Sequence, residues 1–117
     1  MANTFLSETD ASIGTSPATV FTCPAATQST IIGLSVANRT AAQILVDVQL
    51  DASGRTSGAE DSVYIVKDAA IPAGSSLEIM SGNKIVVQGD GSTNDVIRVS
   101  SGTSNAVDAI VSVLEDV

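Results

Sequence analysis

The chain has 117 residues, with 13 acidic and five basic side chains and a net charge of −8. This length suits one domain and is too short for two. The negative charge would repel nucleic-acid phosphates and anionic membranes, and it suits a basic partner. The sequence contains no histidine, no tryptophan and one cysteine, so a nucleophile would lack its usual base. We therefore expect a protein that is not an enzyme, takes no cofactor, metal or small-molecule substrate, and binds neither nucleic acid nor membrane.

Residues 1–17 are rich in Ser, Thr, Ala and Asn and end at Pro17. Two interpretations are open for this segment: a disordered terminus, or an arm that orders only against a neighbouring subunit. Phe5, Leu6 and Ile13 are the apolar anchors that such an arm would use at an interface. We predict an N-terminal arm over residues 1–17 and one β-sandwich domain over residues 18–117.

The start of the chain lacks the basic and apolar regions of a signal peptide. No stretch approaches the roughly 20 apolar residues of a membrane helix. We expect synthesis in a cytoplasm.

Short segments after Pro17 alternate apolar and polar residues, as half-buried strands do. The clearest case places Ile44, Val46, Val48 and Leu50 on one face. Turn residues separate the segments and predict eight strands, at residues 18–23, 30–38, 42–50, 62–67, 76–80, 84–88, 95–101 and 106–114.

The second and third predicted strands are joined by a turn at residues 38–40, which predicts that they form a central hairpin. Ile32, Leu34 and Val36 are expected to share one face of the second strand. Gly33 interrupts that strand and predicts a bulge or a close backbone approach.

The last segment, residues 106–117, contains Ala, Leu and Glu, which favour a helix. Its density of β-branched residues and its missing N-cap favour a strand instead. With eight short strands and no helix, we predict an all-β, antiparallel sandwich, jelly-roll or immunoglobulin-like, with a small barrel as the alternative.

Few residues suggest a catalytic or metal-binding site. Cys23 precedes Pro24 and is interpreted as a small buried hydrophobe. The loop 90–95 begins like a calcium loop, but Asp95 stands where glycine is needed and Ser101 where a glutamate is needed. An ordinary turn is therefore favoured there.

The remaining charged residues favour solvated or interface roles. The acidic neighbours at 60–61 and 115–116 would face opposite ways along a strand and are interpreted as solvated charge. Arg98 lies in mid-strand, where its head reaches solvent or a carboxylate at an interface. Tyr64 is the one tyrosine, too little aromatic surface for a sugar-binding platform.

Four segments resemble a family of small structural proteins of tailed bacteriophage particles, including phages of cyanobacteria and marine bacteria. These are TIIGLSVAN at 30–38, VDVQL at 46–50, YIVKDAAIPAG at 64–74 and VDAIVSVLE at 107–115. They are short strand cores spread over most of residues 18–115. The loops 51–61 and 89–95 are longer than in the family.

The resemblance implies a virion component made in the host cytoplasm, with no catalytic residues. Within that class we favour a capsid decoration, or cement, protein, whose partners would be the major capsid protein and sister subunits. A homotrimer would suit the local three-fold positions of a shell. A neck, tail or fibre component is the second hypothesis, and a ligand-binding sandwich module is the third.

Overall fold

The computed structural model of the chain describes residues 3–24, 26–52, 62–79, 84–89 and 94–116. These residues confirm the predicted all-β class and form two antiparallel sheets packed face to face. Their nine strands are β1 (Asn3–Ile13), β2 (Ala18–Thr22), β3 (Thr27–Asn38), β4 (Ile44–Asp51), β5 (Ser62–Ile71), β6 (Ser76–Glu78), β7 (Ile85–Gly89), β8 (Val96–Ser101) and β9 (Val107–Asp116).

Sheet A has the order β1-β9-β3, with β6 and β7 both pairing with the far side of β3, and sheet B has the order β2-β8-β4-β5. The strands pair as the two halves of one long ribbon, from Asn3 opposite Asp116 down to Ile44 opposite Ile71. In between, β2 pairs with β8, and β3 pairs with β7 and β6. Rolling this ribbon adds the β9–β3 and β8–β4 pairings. This is the jelly-roll arrangement, one of the two predicted alternatives.

The core between the sheets is aliphatic, as predicted, and Phe21 is its only aromatic residue among those described. The alternation of β4 is confirmed, because Ile44, Val46, Val48 and Leu50 are all buried. Strand β9 is confirmed over the helical alternative. Its residues Val107, Ala109, Val111 and Val113 line the core.

The predicted bulge at Gly33 is confirmed, because the register of β3 against β9 shifts between Ile31 and Gly33. The bulge inserts one residue and so reverses which side chains face the core. Ile31 and Leu34 are fully buried, whereas Ile32 is 37% exposed. The prediction that Ile32 shares one face with Leu34 and Val36 is therefore wrong.

The predicted central hairpin is also wrong, because β3 belongs to sheet A and β4 to sheet B. The connection crosses between the sheets at Asn38, whose side chain is buried in the crossing. Its Nδ2 donates to the carbonyl of Ala42 at 2.7 Å, and its Oδ1 accepts from the backbone N–H of Thr40 at 2.8 Å. These bonds hold the turn in a shape that carries the chain across the core.

The N-terminal segment is part of the fold and is ordered without contact with a neighbouring subunit. Asn3–Ile13 is strand β1, paired along its length with β9 of the same chain. An edge strand with one solvated side needs few apolar residues, so its sequence resembles a polar tail. The ninth strand, which the sequence did not predict, is this one.

Candidate functional site

The outer face of sheet A, which points away from sheet B, carries an apolar row. Directly paired residues lie on the same face of a sheet, and the pairs Phe5–Leu114, Leu114–Thr30 and Thr30–Val86 follow one another across four strands. Phe5 is 74% exposed and Val86 is 50% exposed. We call Phe5, Leu114, Thr30 and Val86 the apolar row.

Two further exposed apolar residues, Ile32 and Ile110, lie on the same face. Ile32 follows Thr30 along β3, whereas Ser112 separates Ile110 from Leu114 along β9. The row itself contains no charged side chain. The Glu78 carboxylate lies beside the middle of β3, where it accepts a hydrogen bond from the backbone N–H of Leu34, and Asp108 pairs with Ala37 near the end of that strand. A group of exposed apolar residues on one sheet face is typical of a site that contacts another protein.

The outer face of sheet B has a different character. Arg98 on β8 contacts the Asp51 carboxylate on β4, with 2.6 Å between Nη1 and Oδ2. Lys67 on β5 contacts the Asp47 carboxylate at 3.4 Å. Cross-strand ion pairs on an open face are solvated and contribute little to stability. Leu45 and Tyr64 are also exposed on this face, but Asp47 lies between Leu45 and Gln49, the residue that pairs with Tyr64.

The edge of sheet A at β1 is the second distinctive surface. Residues Phe5, Ser7 and Thr9 are on the outer face of the sheet, because their partners on β9 point outward. Glu8 and Asp10 are on the inner face, opposite the buried residues Val111 and Ala109. Strand β1 therefore presents an apolar residue on one face and two carboxylates on the other.

The structure does not bring together the four predicted interface residues, Phe5, Leu6, Ile13 and Arg98. Phe5 is on the surface, Leu6 is partly buried against the core, and Ile13 is 3% exposed inside it. Arg98 lies on the other sheet and is bound to Asp51 within the chain. Of the proposed apolar anchors, Phe5 alone is free to meet a partner.

Sequence reasoning missed Val86, Ile110, Glu8 and Asp10 as surface features of one sheet. The signal for Glu8 and Asp10 was present in the alternation of residues 5–10, but the segment was interpreted as an arm outside the domain. Val86 and Ile110 could not be found, because only the pairing of β7 and β9 with β3 places them on one face.

Cys23 is confirmed as a structural residue. It is fully buried, and its Sγ lies 3.4 Å from the carbonyl oxygen of Thr27 and 3.5 Å from that of Val87. Burial raises the pKa of its thiol above the ordinary value of 9.0. A neutral, enclosed thiol is a poor nucleophile.

The acidic loop considered for calcium lies largely outside the described residues, which include only Asn94 and Asp95 of it. Asp95 is buried, and its Oδ2 accepts a hydrogen bond from the backbone N–H of Gln88 at 3.0 Å. Its own N–H donates to the Gln88 carbonyl at 2.8 Å. This carboxylate holds the start of the loop in place. The acidic pair at residues 60–61 is also outside the described residues.

Within the described ranges, no three His, Cys, Asp or Glu side chains are close enough together to hold a metal ion. The same ranges contain no helix with the length and apolarity needed to cross a bilayer.

No protein-family model matches the sequence, and no curated protein matches it. A chain of the T13 IBDV viral particle, an icosahedral virus, is similar in structure with a TM-score of 0.52 and 10% identity. The alignment covers 97% of this chain and 35% of that one, so this chain spans about a third of the viral chain. At this identity the likeness shows the fold alone.

A chain from the disulfide-linked pili of Bacillus endospore appendages also aligns, with a TM-score of 0.48 and 10% identity. The alignment covers 98% of this chain and 89% of that one.

Proposed function

We propose that this protein is a structural component of a tailed-bacteriophage virion and that it decorates the assembled head. The observation that carries the proposal is the apolar row on the outer face of sheet A. It gives an acidic, rigid sandwich one face suited to a protein contact. In this proposal the chain has no catalytic activity, and its partners are the major capsid protein and sister subunits at a local three-fold position.

Four observations support a structural role. The strand segments resemble small virion proteins, and the jelly roll occurs in viral capsids as well as in lectins and cupins. A fold by itself does not select a function, but this chain has no histidine for a metal site of the cupin type. The ring of Tyr64, the one tyrosine, has the Lys67 ammonium 4.9 Å from its centroid, which suits a cation contact better than a stacked sugar.

The mechanism of such a protein is thermodynamic. A protein that binds the assembled shell, and not the free capsid subunit, stabilises the shell by mass action. A contact of standard size buries about 800 Å² per partner, and repetition over a shell multiplies its effect. The negative charge keeps unbound copies in solution until they meet the shell.

The first test is the number of copies of this chain in purified particles of the phage that encodes it. A decoration protein would be present in hundreds of copies. A dozen or fewer would place it in the neck or tail, and absence from particles would end the proposal of a virion role.

The second test measures attachment to heads that lack the protein. We expect the double variant Phe5→Ser, Val86→Ser to lose attachment, because it removes two exposed members of the apolar row. Leu45→Ser is the matched control, since Leu45 is 45% exposed on sheet B. Equal attachment of the double variant and the control would contradict the assignment of this face.

A further inference from the structure

The free edge of β1 is regular over eight consecutive residues. Pairing with β9 runs without a break from Asn3 opposite Asp116 to Asp10 opposite Ala109. Ser12 then adopts a left-handed conformation with φ of 59° and ends the regular part. No other described strand pairs with β1. On its free side, the N–H and C=O groups of alternate residues are therefore open to a further strand.

Glu8 and Asp10 give this edge a negative charge on the inner face of the sheet. Three described basic residues are engaged elsewhere: Arg39 with Asp108, Lys67 with Asp47, and Arg98 with Asp51. The fourth, Lys84, precedes β7, which pairs with β3 and is separated from β1 by β3 and β9. Neither Glu8 nor Asp10 forms an ion pair within the described ranges. Inward-pointing charges at a sheet edge normally prevent pairing with unsuitable strands.

A second copy of the chain is a poor occupant for this edge. When two β1 strands pair antiparallel through the same edge, only residues of equal parity can lie opposite one another, so in the registers with most overlap Glu8 lies opposite Thr4, Leu6 or Glu8 of the other copy. Its carboxylate would gain no opposite charge there, and each copy already carries a net charge of −8. The same acidic residues that disfavour self-pairing favour a strand that is basic.

We infer that the free edge of β1 binds an extended, basic segment of a partner protein, which adds to sheet A as an antiparallel strand. Such a segment places Lys or Arg opposite Asp10 and Glu8 and apolar residues opposite Leu6 and Phe5. Backbone hydrogen bonds supply the binding, and the charges select the sequence. The inference rests on the proposed function and adds the chemistry of the partner. The residues that would bind the partner strand all lie in β1.

The test uses the purified protein and a synthetic peptide, Lys-Thr-Lys-Thr-Val-Val-Thr, with both ends blocked. The expected result is slowed hydrogen exchange at every second amide of β1, because residues of one parity point to the free edge. The charge-reversed peptide, with Glu in place of each Lys, should not slow this exchange. Peptides N-methylated at alternate positions separate strand addition from simple charge attraction, since one of the two methylation patterns should abolish binding.

The matched protein variants have equal charge. Glu8→Gln with Asp10→Asn should weaken peptide binding by about three- to tenfold, given the usual size of opposite-charge pairs across strands. Asp47→Asn with Asp68→Asn removes the same charge from sheet B and should leave binding unchanged. Asn suits residue 68, which has φ of 54°.

Unchanged exchange in β1 at millimolar peptide, or binding that survives both methylation patterns, would overturn the inference. Equal weakening by the two double variants would also overturn it. Because the assay contains no particles, attachment to phage heads can succeed or fail independently of its outcome.

Discussion

The side-chain amide of Asn38 donates a hydrogen bond of 3.0 Å to the carbonyl of Ile71, joining the end of β3 in sheet A to the end of β5 in sheet B. Its Nδ2 also lies 3.1 Å from the carbonyl of Pro72. Both Asn38 and Ile71 are buried. One amide at the end of sheet A therefore bonds to backbone groups at the end of β5 and in the connection to β4, where the chain crosses between the sheets.

We expect Asn38→Ala to lower the free energy of unfolding by about 2–4 kcal/mol, because the buried carbonyl of Ile71 and the partly buried carbonyls of Ala42 and Pro72 lose their donor. Asn38→Asp keeps the shape but removes the donor and turns a carboxylate toward those carbonyls, so its loss should be at least as large. Urea denaturation measures both changes. Gln43→Ala, at an exposed position in the same connection, is the control and should have little effect. Equal stability of Asn38→Ala and this control would contradict the role assigned to Asn38.

Gly89 marks a close approach between β7 and the residues after β2. A Cβ atom at Gly89 would lie 2.1 Å from the carbonyl oxygen of Pro24, whereas one at Gly102 would meet nothing within 4 Å. Gly89→Ala should therefore destabilise the protein by about 3 kcal/mol, because rigid backbone must move to make room. Gly102→Ala should leave the thermal midpoint nearly unchanged. A small effect of Gly89→Ala would contradict this prediction, because it would mean that the backbone at Pro24 moves at little cost in free energy.

Ile13 and Phe5 distinguish a strand of the fold from a detachable arm. Ile13→Ala should cost about 2–4 kcal/mol, because it removes a buried side chain. Phe5→Ala should change stability by less than about 0.5 kcal/mol, because its ring is exposed. Chemical denaturation of the two variants is the measurement. A negligible loss for Ile13→Ala would return the N-terminal segment to the status of an arm.

Cys23 predicts a specific pH dependence of stability. The raised pKa of its thiol means that, above pH 9.0, the unfolded chain releases a proton that the folded chain keeps. The contribution of Cys23 is therefore fully present below pH 9.0 and is lost as the pH rises through the folded pKa. The free energy of unfolding, measured by denaturation at increasing pH, should fall in the wild type and should fall less in Cys23→Ala. Identical slopes for the two proteins would contradict the burial of the thiol.

Much of the fold followed from local patterns. The apolar faces of β4 and β9, the bulge at Gly33 and the burial of Cys23 were all predicted, because each depends on a residue and its immediate neighbours. The candidate site was not predicted as a unit. Phe5 was identified, but its neighbours on the outer face of sheet A come from three other strands far along the chain.

The sequence by itself determined the all-β class, the aliphatic core and the positions of most strands, because alternation at period two is a local property of the backbone. Only the tertiary structure decided which strands pair. A hairpin and a crossing between sheets place the same residues in the core, so alternation cannot distinguish them. The crossing at Asn38 and the pairing of β1 with β9 depend on contacts between distant parts of the chain. These same contacts create the apolar row and the acidic edge on which the proposals rest.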